Sequence, residues 1–416
     1  MVDGERMLRH LCDTGMVHTD DPSEADVILV NTCTFIREAT QEAINTILEM
    51  AELKRRGKCT CLAVAGCFSE RYRRSASTDL PEVDVWIDVP NRHEQIARIW
   101  GAPPRADNPR YLTEDSATRY LKIADGCSHR CSFCVIPALR GPFLSRSPDD
   151  IVSEARWLRE NGTKECILVA QDTSRYGRDR GGNLVQLLER ILRDVPFEWI
   201  RLMYLHPRNV DDALLRLVAG EPRLCSYFDI PLQHIADPIL RAMGRRPHAA
   251  GTRKLLERIR TLVPDSALRT TFILGFPGET SRQFDTLVRF VEQQCFDKVG
   301  VFPYSPEEGT PAASMRGRPR DATVMRRCEE LMEVQREISS RRLASRVNEL
   351  VPVIIDRESD EPGFAAEART QWDAPEVDGR VWIAGGSPAP GAIVTVRIVE
   401  SSDYDLYAEY GGKQAI

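Results

Sequence analysis

The sequence has no apolar run approaching the ~20 residues that a membrane-spanning helix needs. Its first residues, MVDGERMLRHL, lack the apolar core of a signal peptide. No membrane partner is expected, and a cytoplasmic location is. In a reducing compartment the 12 cysteines favour metal binding over disulfides. Excess positive charge is also missing: 56 Lys+Arg against 62 Asp+Glu give a net charge of −6. That balance argues against direct, stable nucleic-acid binding. No Ser–His–Asp set or acid–base carboxylate pair stands out, and with 7 His no residue is assigned as a catalytic acid, base or nucleophile. At 416 residues the chain exceeds one ordinary core, so two or three domains are expected.

What is present begins with Tyr120–Cys134, YLKIADGCSHRCSFC, a strand-like run ending in Cys127, Cys131 and Cys134. Three thiolates at Cys-x3-Cys-x2-Cys spacing let one loop wrap a compact metal centre, and thiolates are the usual ligands of iron–sulfur clusters. A four-iron cubane on three cysteines leaves one iron open for chemistry. Zinc is the rival, but a structural zinc site wants four protein ligands. No fourth Cys or His completes such a spacing nearby, and His129 lies inside the loop.

This spacing, with Phe133 just before the last cysteine, resembles the radical S-adenosylmethionine (SAM) signature. The resemblance implies that SAM chelates the open iron and is cleaved by one electron to methionine and a 5′-deoxyadenosyl radical. An electron donor is therefore implied as a partner.

Residues 1–100 read as an α/β unit with a Rossmann-like parallel sheet. Asp26–Val30, Leu62–Ala65 and Val83–Val89 read as strands, and 38–53 and 91–100 as helices. Cys33 and Cys67 each follow a strand, at the edge where parallel sheets bind ligands. NTCTFIREA at 31–39 and GCFSERY at 66–72 resemble the N-terminal domain of the methylthiotransferases, a radical SAM subfamily. That family implies a second [4Fe–4S] cluster on three cysteines, with Cys33 and Cys67 as two of them. The family's first strand and its cysteine have no counterpart here, and the expectation is that Met1 is an internal methionine. Cys12, Cys59 and Cys61 are considered as substitutes for the third ligand and set aside, Cys12 as part of a helix and the others at a strand start.

Residues 101–118 read as a linker. From 119 to 346, six strand–helix repeats suggest a (β/α)6 partial barrel with its site in the loops after the strands. The long helix about 321–346 is expected to present its charges to solvent. Arg140 and Arg146 are candidates to orient polypeptide or a SAM carboxylate. Gln171, Gln233 and Gly275 recur in the family pattern, and with Phe133 the resemblance makes them SAM contacts. Gly275 and Gly278 would permit close backbone approach to a ligand.

Residues 347–416 carry β-branched runs between Gly, Pro and Asp and read as a small antiparallel β-barrel, which resembles a TRAM domain. Their net charge of −8 suits a basic protein better than RNA. Asp373, Glu376 and Asp378 are expected to meet that partner. The stretches at 368–383, 170–177 and 139–146 resemble the methylthiotransferase branch that modifies the β-carbon of an aspartate in small-subunit ribosomal protein S-twelve. The alternatives are a tRNA adenosine methylthiotransferase and a non-catalytic iron–sulfur sensor or electron carrier.

Overall fold

The computed structural model describes residues 1–34, 36–101, 110–114, 116–246, 248–386 and 388–411. They form two compact units. The first lies within residues 1–115, 125–144 and 305–313, the second within 116–124, 145–304 and 314–416. Half of the segment read as a linker, 102–109 and 115, falls outside the described residues.

In the first unit, β1 (Val27–Thr32), β2 (Cys61–Gly66) and β3 (Val85–Ile87) form a parallel sheet in that order. α2 (Arg37–Arg56) turns Ala43, Ile47 and Ala51 onto one face, against Ile28, Val30, Leu62 and Val64. α3 (Cys67–Asp79), which periodicity did not reveal, adds Phe68 to that core. The other face is covered by Met7 and Leu11 of α1 (Val2–Asp13) and Ile96 of α4 (Arg92–Trp100), packed on Ala63, Ala65 and Ile87. A further short helix, α5 (Ile136–Arg140), follows the cysteine loop.

The second unit has the expected six parallel strands. β4 (Thr118–Lys122), β5 (Glu165–Val169) and β6 (Trp199–Leu202) are neighbours in sequence order, as are β7 (Tyr227–Asp229), β8 (Ala267–Leu274) and β9 (Lys298–Pro303). A parallel bridge between Ile200 and Leu224 joins the two sets. The intervening helices start where the sequence offers caps: Ser147 accepts from the Asp149 amide, and Asn183 with Gln186 forms a capping box. The last helix, α6 (Asp321–Ala344), is less solvated than expected. Arg327 is buried in an ion pair with Glu279 at 2.5 Å, and the Gln335 amide donates to the Phe296 carbonyl at 3.0 Å.

The C-terminal strands β10 (Leu350–Glu358), β11 (Ala366–Thr370), β12 (Val381–Ala384), β13 (Ile393–Ser401) and β14 (Leu406–Glu409) close into a barrel in the order β10-β11-β12-β14-β13. One pair, β12 with β14, is parallel, so the barrel is not wholly antiparallel. Its core is the apolar set Val353, Ile355, Val381, Ile383, Val396 and Ile398.

This small barrel is fixed to the six-stranded domain by buried ions. Glu165 takes Arg201 and Arg369, each at 2.7 Å, and Arg369 also pairs with Asp356 at 2.7 Å. Lys298 meets Asp373 at 2.7 Å, and Tyr227 donates to Asp378 at 2.7 Å. The expectation that Asp373 and Asp378 meet a basic partner is thereby overturned. The side chain of Asp373 is 8% exposed and that of Asp378 1%, and their cations come from within the chain. Burial of a carboxylate is tolerable only with such pairing.

Candidate metal centres

Two sets of cysteines lie in the first unit. Cys33 follows β1 directly and Cys67 opens α3, immediately after β2. Register places Thr32 beside Gly66. Gly66 has φ +94°, and a Cβ there would sit 2.5 Å from the Thr32 carbonyl oxygen. Only glycine therefore lets the two strand ends approach this closely. The Thr32 hydroxyl fastens them, donating to the Ala65 carbonyl at 2.6 Å and accepting from the Phe68 amide at 3.2 Å.

Cys33 is exposed and Cys67 buried. Burial pushes the Cys67 thiol up, Arg140 pulls it down, and Cys33 pushes it up again. Cys33 and Cys67 are thus within electrostatic reach of each other. Cys59 and Cys61 lie at the opposite edge of the sheet, where β2 begins, and Cys12 near the end of α1.

The second set sits on a loop whose ends are pinned together. Gly126 has φ +71°, and a Cβ on it would lie 2.2 Å from the Pro142 carbonyl oxygen. The Cys127 amide donates to the Gly141 carbonyl at 3.0 Å, and the Phe143 amide to the Ser128 hydroxyl at 3.1 Å. Cys127 is buried, and Cys131, Phe133 and Cys134 are half-buried. None of the 12 cysteines forms a disulfide. Three reduced thiols on one closed loop fit a cluster with one iron left open, and they fall one short of a structural zinc site. Beyond Cys134, Val135 and Leu139 pack with Cys67 and Val89 in one apolar cluster. The two cysteine sets are therefore neighbours within a single unit.

The expected roles of two arginines change. Arg140 pairs with Asp125 at 3.1 Å and Asp3 at 3.4 Å, and its charge favours the Cys67 thiolate. Arg146 pairs with Glu154 and donates to the Lys122 carbonyl, both at 2.6 Å. Both are committed to partners inside the fold. Sequence reasoning missed Arg92, which joins Asp3 and holds Asp125 at 3.1 Å. It also missed Arg71, which donates to the Thr34 carbonyl at 3.2 Å and pairs with Glu307 at 2.8 Å. No spacing signal links either to a cysteine. Their proximity to the site arises only from the fold.

In the second unit, Gln171 lies beyond the end of β5 and Gln233 beyond β7. Each buries its amide oxygen with no hydrogen-bond partner, and Gln233 holds a left-handed φ of +73°. Orphaned buried acceptors are uncommon and suit a polar ligand. Gly275 has a packing reason of its own: a Cβ there would fall 2.4 Å from Val324 Cγ2 of α6. Gly278, at φ +87°, has open space beside it.

A six-stranded parallel partial barrel with a three-cysteine loop after its first strand defines a radical SAM enzyme. Residues 121–291 match the radical SAM superfamily, 1–88 the uncharacterized protein family UPF0004, and 348–410 the TRAM domain. The chain is 42% identical over 426 residues to the ribosomal protein uS12 methylthiotransferase RimO of Pelobacter propionicus, covering 98% of this chain and 95% of that one. The RimO of Geobacter sulfurreducens gives 42% over 428 residues with the same coverage. The chain belongs to the RimO family of methylthiotransferases. Membership of the radical SAM superfamily implies a [4Fe–4S] cluster and SAM. Among solved structures, the radical SAM methyltransferase TsrM from Kitasatospora setae shares the fold, with a TM-score of 0.51 and 16% identity over 67% of this chain and 62% of that chain. No helix among the described residues is long and apolar enough to cross a membrane.

Proposed function

We propose that this enzyme attaches a methylthio group to the β-carbon of an aspartate in ribosomal protein uS12, as the names of its relatives indicate for theirs. The carrying observation is the shared packing of Cys67 with Val135 and Leu139, beside the Cys127 loop. A sulfur-bearing centre and a radical-generating centre have to be close for such a transfer.

Cys127, Cys131 and Cys134 would hold the SAM-chelating cluster, and Cys33 and Cys67 would hold part of a second one. The first cluster, once reduced by an electron donor, supplies the one-electron cleavage of SAM. Phe133, Gln171, Gln233 and Gly275 are the proposed SAM contacts. Gln171 and Gln233 carry this best, through their unpartnered amide oxygens. Residues 1–100 would hold the second cluster, 119–346 would carry the SAM chemistry and 347–416 would handle substrate, with 101–118 as the linker. No catalytic acid or base is assigned.

The test is anaerobic reconstitution, reduction and incubation with SAM and uS12. The expected product is uS12 heavier by one methylthio group on a single aspartate. Modification of a tRNA adenosine in place of uS12 would replace this reading, and absence of SAM cleavage would reduce the chain to an electron carrier or sensor.

A further inference from the structure

The six strands alternate two faces. Ile167, Trp199, Met203, Tyr227 and Ala267 share one face and gather in a single cluster, with Tyr120 and Val169 packed against it. That cluster also contains Ala374 and Ile354 of the C-terminal barrel, with Trp372 against it. The opposite face packs outward, as the Phe272–Phe290 contact shows. The loop after β11 therefore enters the strand-start end of the six-stranded barrel and forms its floor.

Both shoulders of this loop are held. Asp373 pairs with Lys298, and Asp378 accepts from Tyr227 and pairs with Arg269 at 3.4 Å. Between the shoulders stand Glu376, which is exposed, and Val377, 50% exposed. Glu376 holds φ +69°, a left-handed conformation that a non-glycine residue adopts at a cost and that the fixed shoulders impose. After burial, the Glu376 carboxylate is the strongest influence raising the Tyr120 phenol, and it also raises that of Tyr204. Ala374, two residues before Glu376 on the same loop, packs in the cluster that Tyr120 lies against, which brings Glu376 within electrostatic reach of both phenols. Tyr204 is itself 45% exposed, at φ +60°. Among the described residues Glu376 makes no ion pair and no hydrogen bond.

We infer that Glu376 recognises a basic side chain of the polypeptide substrate from the floor of the central barrel. This inference rests on the proposed function. An exposed carboxylate with no cation of its own, within electrostatic reach of two phenols, attracts a cation. The same carboxylate repels the target aspartate. A Lys or Arg near that aspartate, seated on Glu376, would fix which carbon is presented. SAM is also cationic, and Tyr204 lies beyond the end of β6 as Gln171 and Gln233 lie beyond β5 and β7, so the SAM KM is measured beside the peptide KM.

The test uses the full enzyme and peptides spanning the target aspartate, with each Lys or Arg replaced in turn by Gln. Glu376→Gln should raise the peptide KM about 10-fold or more, with a smaller effect on kcat, and Glu376→Asp should recover part of the loss. One peptide replacement should raise KM equally on the unaltered enzyme and have no further effect on Glu376→Gln. A peptide KM within about twofold of the unaltered enzyme, or a rise in the SAM KM in its place, overturns the inference. If the unaltered enzyme leaves uS12 and every peptide unmodified, the proposed function falls and this inference with it. If it modifies them and Glu376→Gln matches it, this inference falls alone.

Discussion

The Arg140 guanidinium acts on the thiol of Cys67, pulling it down against the effect of burial. It links the two cysteine sets physically, because it sits six residues beyond Cys134 and reaches a cysteine of the other set. Asp125 and Asp3 hold it from the other side. Removing the cation takes one partner from each of those carboxylates, and loss of one partner from a largely buried pair costs about 3 kcal/mol. Arg140→Met is expected to lower the unfolding free energy of the first unit by about that amount and to reduce the iron retained on Cys33 and Cys67. Denaturant titration and iron analysis check both. Unchanged iron with normal spectra would show that the contact is structural only.

Gly66 sets the distance between Cys33 and Cys67. Gly66→Ala places a Cβ against the Thr32 carbonyl oxygen and strains a positive φ, at a cost of about 1–3 kcal/mol. Gly278→Ala carries the backbone strain without the clash, so it should cost about 1 kcal/mol. Iron content should fall in the first variant and hold in the second. Equal behaviour would mean that strand-end spacing does not matter to the site.

Cys131→Ala should abolish 5′-deoxyadenosine formation from SAM in reconstituted, reduced protein. The residue is half-buried on a loop closed by other contacts, so the thermal midpoint should shift by only a few degrees. Undiminished SAM cleavage would remove this loop from the chemistry.

Acid should loosen the attachment of the C-terminal barrel. Burial alone would raise the Glu165 carboxyl, but Arg369 and Arg201 overrule it and hold it at about 2. A carboxyl held below its ordinary ~4.3 contributes stability that is present above that value and lost as pH falls through about 2. The contribution is about 3 kcal/mol. Asp356 and Asp229 are raised by burial and run the other way. The measurement is therefore the difference in pH slope between the unaltered protein and Glu165→Gln from about pH 5 to pH 2, read from denaturant unfolding. The variant should lose the slope owed to this carboxyl, whatever its midpoint.

The large elements were legible because apolar runs and helical spacing carry them, and the cysteine motifs because their spacing is local. Strand β11, Ala366–Thr370, was not. Its AEART alternates small apolar residues with charges that look like solvent positions, yet Glu367 and Arg369 are buried. Asp373 misled for the same reason. An acidic residue reads as surface until its cation is known, and Lys298 comes from a distant strand of another domain. The barrel closes by pairing its first strand with its fourth and its third with its fifth, non-local pairings that periodicity does not encode. Gln171 and Gln233 were reached only through resemblance, since an orphaned amide is a property of the folded surroundings.

The charge argument for a basic partner survives with different residues. The net −8 of residues 347–416 includes Asp373 and Asp378, which the fold neutralises internally. Glu358, Asp360 and Glu361 remain, all exposed, at the turn between β10 and β11. Unpaired surface charge acts over about a Debye length and changes encounter rate more than contact energy. Reversing the three to Lys should slow association with uS12 by about 10-fold at low salt and flatten its salt dependence, as stopped-flow binding would show. The barrel should stay attached, since Glu165, Arg201, Arg369, Asp373 and Lys298 are untouched. Reversing Asp373 and Asp378 should instead detach it, because each Lys would face a buried cation. An unchanged association rate in the triple variant would place the uS12 surface elsewhere. Faster binding of a tRNA stem-loop would show only that the acidic turn repels phosphate.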